Sequence, residues 1–257
     1  MRPTRRDVRL FDQPATPRLG VRASGSLRRF ARPLNDLLER TTGARLVSGG
    51  PRGVKIDAEW VDRFRYFDRL MSRIEHVDGD VVECGVAGGE SLAMFASLVR
   101  ARAIERTIWG FDSWSGLPQP SHTDVGDLSQ AAGGMFGWAS IRLVEAELRG
   151  HGFDDVEIAQ HVRLERGDFA DTLSRFPART VALLHVDADL YESYRTVLEC
   201  LWPRLAVGGL AAFDEYEELE TWPGARRAVD EFLGRDEVEA DLVRDQQAAK
   251  WYAVKRS

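Results

Sequence analysis

The chain has 257 residues, 44% hydrophobic and 30% charged, with a formal net charge of -6 at pH 7. That length buries a full core in one α/β domain with a short accessory segment, and the ordinary composition excludes the disulfide-rich, fibrous and fully disordered classes. The acidic balance gives no sign of a nucleic-acid partner. No run is long and apolar enough for an integral membrane segment, no signal core opens the chain, and Cys84 and Cys200 read as reduced thiols; a cytoplasmic protein is expected.

Residues 1–55 are expected to form a basic arm. Nine arginines stand against Asp7 and Asp12 before residue 33. The arm reads as unstructured to about Ala23, and then Leu27, Phe30, Leu34, Leu37 and Leu38 have the spacing of an amphipathic helix that packs against protein. This extension and the aromatic residues that follow it make a homodimer or higher homo-oligomer the expected state. Gly49-Gly50-Pro51-Arg52-Gly53 breaks the chain, and residues 56–257 are expected to be the catalytic domain. Trp60, Phe64, Phe67, Leu70, Met71 and Ile74 predict a helix leaning on a sheet. Strands are then predicted at 81–86, 107–111, 162–164, 181–186 and 210–213, and helices at 91–102, 138–149, 194–201 and 225–233. Strands this apolar, alternating with helices, predict a parallel sheet covered on both faces, with ligands at the carboxyl ends of its strands.

The first strand hands over to a helix through Glu83-Cys84-Gly85-Val86-Ala87-Gly88-Gly89, followed by Ser91. Small residues let backbone approach a ligand. A dinucleotide fingerprint would need Gly-x-Gly-x-x-Gly, which is absent, and Glu83 on the strand suits a cationic aminoacyl group better than a pyrophosphate. Asp112, followed by Ser113, ends the second strand, where a carboxylate can accept from a ribose diol. Asp168 ends the third, within reach of an adenine edge, with Phe169 near its face. Each acid alone could be a turn or cap residue. Three successive acid-tipped strands point to S-adenosylmethionine.

The fourth strand runs into Asp187-Ala188-Asp189-Leu190-Tyr191, and the fifth ends in Asp214-Glu215-Tyr216. Asp187, Asp214 and Glu215 would offer an all-oxygen metal site of the magnesium or calcium type. The competing explanation is that Asp187 or Asp189 caps the following helix and that the other two acids are solvated. A base for an acceptor hydroxyl would come from His122, His185 or Asp189; His185 alternates with apolar residues and reads better as a core histidine.

At these residues the sequence resembles the TylF-like macrocin O-methyltransferases. The markers are Val82 to Gly89, Phe111-Asp112-Ser113-Trp114-Ser115-Gly116-Leu117-Pro118, Asp187 to Ser193, and Gly208 to Tyr216, within a resemblance that spans roughly residues 80–233. It implies a class I methyltransferase Rossmann-like fold, with a mostly parallel seven-stranded sheet flanked by helices. It also implies S-adenosylmethionine and Mg2+ as cofactors and a saccharide hydroxyl as acceptor, on a glycosylated small product, a nucleotide sugar or an oligosaccharide. Carried over by position, Asp187 and Asp214 become magnesium ligands, and Glu215 stands where such enzymes usually have a second aspartate. The alternatives are a catechol-type O-methyltransferase, disfavoured because Leu190 replaces the lysine common three residues after the first metal aspartate, and a non-catalytic nucleoside-binding scaffold.

Overall fold

The computed structural model describes residues 57–126, 132–177 and 179–257. The basic arm and its predicted helix lie outside them.

Helix α1 (Ala58–Arg73) is capped by Asp57, whose side chain accepts from the Trp60 amide at 3.0 Å, and it buries Tyr66, Phe67, Leu70 and Met71. These are the residues whose spacing predicted it. The sheet then begins: β1 (Asp80–Cys84), β2 (Ile108–Asp112), β3 (Val162–Arg166), β4 (Val181–Val186) and β5 (Leu205–Phe213) pair in parallel in the order β3-β2-β1-β4-β5. β6 (Ala240–Asp245) and β7 (Lys250–Lys255) complete seven strands, with β7 antiparallel to both β5 and β6. Every residue of β1 and β4 is buried. The two-residue period of a strand sends Val81 and Leu183 into one core and Val82 and Leu184 into the other, which is why the strands read as unbroken apolar runs.

Helices α2 (Glu90–Ala101), α3 (Ile141–Gly150), α4 (Asp155–His161), α5 (Phe169–Thr172), α6 (Tyr191–Leu201) and α7 (Pro223–Leu233) connect or flank the strands. α3 starts at 141 rather than 138, because Ser140 is its cap and accepts from the Leu143 amide. β5 starts five residues before the predicted 210, so Gly208 and Gly209 lie inside the strand and not before it. Four elements, α4, the four-residue α5, β6 and β7, were not predicted. α4 buries no residue and so carries no apolar stripe, while β6 is half-buried along its whole length and shows no alternation; β7, with Tyr252 and Ala253 buried, is a continuation of that hairpin. Among the described residues no helix is long and apolar enough to cross a membrane.

Parallel pairing brings the carboxyl ends of β1 to β5 to one edge. Strand order reverses between β1 and β4, which places the crevice of a doubly wound sheet there.

Candidate active site

A cleft of about 580 Å³ opens at that edge and is lined from the ends of all five parallel strands. Its floor is the turn after β1. Gly85 has φ +94°, and a Cβ there would stand 1.6 Å from the carbonyl oxygen of Asp187, so the β1 and β4 tips touch backbone to backbone. The turn is pinned by Asp112: Oδ2 accepts from the amides of Val86 and Ala87 at 2.9 and 2.8 Å, and Oδ1 from the Trp114 amide at 2.6 Å. The acid expected to face a ribose therefore also sets the glycine turn, and Oδ1 keeps a lone pair for the cleft. Ser113 is engaged within its own turn, its hydroxyl donating to the Gly116 carbonyl at 3.1 Å. Asp168 occupies the cap position of α5 without making a cap hydrogen bond, so its carboxylate stays available to the cleft, which Phe169 also lines.

Glu83 is 1% exposed. Its Oε1 lies 3.0 Å from His185 Nδ1, and its Oε2 is buried with no hydrogen-bond partner. Burial, reinforced by the nearby Asp187, pushes the Glu83 carboxyl well above the usual range, and burial lowers His185 to about 4. His185 lies edge-on to Phe67 and Phe95 at 5.1 and 5.5 Å. It is the core histidine that its alternation indicated.

One ligand oxygen from each of Asp187, Asp214 and Glu215 can be chosen so that all lie within 4.8 Å of one another. Burial, then repulsion from Asp214, raises Asp187 to about 7. Burial, then Asp187, raises Asp189 to about 8. Glu215 is likewise driven well up by burial and by Asp187. Burial would raise Asp214 too, but Lys250, His185 and Arg63 more than offset it; Lys250 Nζ sits 3.1 Å from Oδ2 and donates to the Asp214 carbonyl at 2.7 Å. A cluster so short of counter-charge is what a divalent cation relieves. The competing cap explanation fails on geometry. The first amide of α6, on Tyr191, is capped from 67 residues away by Asp124 Oδ1 at 2.8 Å, while Leu190 holds the cap position without a side-chain bond.

The family model for macrocin O-methyltransferase (TylF) matches residues 61–253, from α1 through β7. The chain belongs to this family. Demethyldecarbamoylnovobiocin O-methyltransferase of Streptomyces niveus is 32% identical over 180 residues, 68% of this chain and 66% of that protein. Mycinamicin III 3''-O-methyltransferase of Micromonospora griseorubida is 30% identical over 182 residues, 68% of both chains. The matched part thus spans about two thirds of these relatives. Among solved structures, the O-methyltransferase NovP superposes with a TM-score of 0.65 at 27% identity, covering 77% of this chain and 80% of that one. The calicheamicin methyltransferase CalS11 gives 0.64 at 26% identity over 95% and 99% of the two chains. The fold is that of class I methyltransferases, as the resemblance implied.

Of the residues expected at the site, Glu83, Gly85, Gly89, Ser91, Asp112, Ser113, Asp168, Phe169, Asp187, Asp189, Asp214 and Glu215 all line this cleft. His122 does not. It is exposed, on a loop that Asp124 ties down through the amide and hydroxyl of Ser121 at 2.9 and 2.8 Å. Four contributors escaped the sequence. Arg63 reaches the cleft from α1. Lys250 comes from the unpredicted β7, Tyr194 from inside α6, where its hydroxyl lies 2.5 Å from Glu215 Oε2, and Trp138 from the loop before α3, half-exposed against Gly88. Only long-range packing brings these to the edge, so no local spacing signals them.

Proposed function

We propose that this protein transfers the methyl group of S-adenosylmethionine to a sugar hydroxyl of a small glycosylated product, with Mg2+ bound beside the acceptor. The observation that carries the proposal is the meeting, in one cleft, of the glycine turn and the three-carboxylate cluster. The sugar acceptor is supported by relatives named for methylation of mycinamicin III at 3'' and, in the calicheamicin enzyme, of TDP-rhamnose at 3'.

The residues suit both groups. The unpartnered Oε2 of Glu83 matches a cationic aminoacyl end, Asp112 Oδ1 a ribose hydroxyl, and Asp168 with Phe169 an adenine. Asp187, Asp214 and Glu215 form the hard, all-oxygen donor set that Mg2+ takes. When bound, the sulfonium supplies an electrophilic methyl, and the cation makes a neighbouring hydroxyl more acidic. The chain's own task is to hold the acceptor oxygen in line and take its proton. Asp189 fits that role: it lines the cleft beside the carboxylate cluster, and φ +60° turns it out of regular backbone.

The test pairs calorimetry with turnover. S-adenosylhomocysteine should bind, methyl transfer to a panel of glycosylated acceptors should be lost in chelator, and Asp187→Asn should abolish turnover while S-adenosylhomocysteine binding stays within a few-fold. Equal loss of binding and turnover would remove the metal role; no binding by the wild type would remove the donor. Self-association and a cytoplasmic place of action belong to the same proposal. A dimer or larger mass by light scattering is expected, and a monomer overturns the former.

A further inference from the structure

We propose that His185 is a positioning residue that couples the two halves of the cleft. It stands between Glu83, at the donor end, and Asp214, in the carboxylate cluster, so that each half, once occupied, favours occupancy of the other. The inference rests on the donor and the metal assigned above.

Strand register builds the arrangement. Glu83 of β1 pairs with His185 of β4, which pairs with Ala212 of β5. The two-residue period puts all three on the sheet face that carries Val81, Leu183 and Leu210, and puts Asp214 on the same face one step further on. Ala212 offers only a methyl there, which leaves the imidazole facing the Asp214 carboxylate. Nδ1 lies 3.0 Å from Glu83 Oε1, and Nε2, buried and without a hydrogen-bond partner, lies 3.9 Å from Asp214 Oδ1. Phe67 of α1 and Phe95 of α2 wall the ring edge-on, so packing holds it where it is.

A ring with one N–H donates to one carboxylate and turns a lone pair toward the other. The two acids therefore compete for a single donor. With Asp214 engaged by a cation, its claim on that donor falls and the N–H answers Glu83, whose charge an ammonium then meets through the unpartnered Oε2. With Glu83 so engaged, Asp214 keeps its lone pairs for the cluster. Both sites draw on one buried group, and a coupling of this kind is reciprocal by thermodynamic necessity.

Calorimetry on the full chain reads the coupling as a ratio of affinities. S-adenosylhomocysteine should bind the wild type at least about 5-fold more tightly in Mg2+ than in chelator, the low end of ordinary coupling. His185→Phe keeps an aromatic ring between Phe67 and Phe95 but no nitrogen. Its ratio should fall to unity or below, since direct repulsion between the cation and the ammonium remains. His185→Asn serves if the phenylalanine variant does not fold; it keeps an amide near the Nδ1 position and nothing toward Asp214, and should lose the ratio as well. A histidine that only packs would weaken binding equally in both buffers and leave the ratio at its wild-type value, which overturns the coupling, as does a wild-type ratio near unity. The underlying assignments are read separately. A wild type that binds no S-adenosylhomocysteine removes the donor, and one that binds no Mn2+ by direct titration removes the metal, whereas a wild type that binds both independently loses the coupling alone.

Discussion

A methyl group in place of the Gly85 hydrogen would meet the carbonyl oxygen of Asp187, and backbone on both sides cannot rotate away as a side chain could. The residue also sits at φ +94°, where a Cβ is strained in any case. Overpacking against movable neighbours costs about 1–3 kcal/mol, and this site lies at or beyond the upper end. Gly85→Ala is therefore expected to lower Tm by about 10 °C or more, or to yield insoluble protein; a Tm within a degree or two of wild type would refute the close approach. The same residue shows what a sequence reveals at this scale. A glycine just after an acid-bearing strand end was recognisable as a place of close approach, but the expected neighbour was a ligand, and the atom actually nearest is the Asp187 carbonyl oxygen just past the tip of β4. Glu83 and the strand-tip acids were legible because a strand end fixes where its next residue goes. Arg63 was not, since on a helix before the sheet it is one arginine among several, and only the docking of α1 distinguishes it.

Helix α6 reaches into the site through Tyr194, fully buried, with its hydroxyl against Glu215 Oε2 and, at 2.8 Å, the Val186 carbonyl. Glu215, at the position where the resemblance implied a second aspartate, is held between the Tyr194 hydroxyl and Asp187. Tyr194→Phe should weaken apparent Mg2+ affinity by about 10-fold or more, as for other groups that orient a metal ligand, with S-adenosylhomocysteine binding retained. Metal titration of turnover reads this, and an unchanged midpoint would show that Tyr194 only packs. A second helix is fastened by charge. Arg69 of α1 binds Asp245 of β6 with Nε and Nη2 at 2.8 and 2.7 Å from the two carboxylate oxygens. Burial would raise Asp245, but the Arg69 hydrogen bonds and the amides of Ala248 and Gln247 more than offset it and hold the carboxyl below its usual value. A lowered folded pKa contributes stability that is fully present above the unfolded value of about 3.9 and is lost as pH falls through the folded one. Arg69→Met should cost about 1 kcal/mol, or about 2–4 °C of Tm, at pH 7, and progressively less as pH falls below about 3.9. A Tm difference that does not shrink in acid would sink this account. These ties join elements far apart in the chain, which is why the hairpin of β6 and β7, weakly patterned on its own, was not foreseen while α1 was.

Over the whole molecule, the pattern of alternating apolar strands and amphipathic helices determined the class of fold, because strands buried on both faces have few other architectures open to them. Combined with the rule that ligands lie at carboxyl ends, it also determined which acids face the cleft, and Asp112, Asp168, Asp187 and Asp214 were readable from sequence for that reason. Packing decided the rest. It withdrew His122 to an exposed loop, gave the α6 cap to Asp124 and so freed Asp187 and Asp189 for the cleft, paired Glu83 with His185, and brought Arg63, Lys250 and Trp138 to the edge. The physical reason is range. Strand periodicity and turn chemistry act over a few residues and are written locally, whereas charge compensation and hydrogen-bond satisfaction in a buried site are settled by whichever groups the folded chain brings within a few ångströms, however distant in sequence.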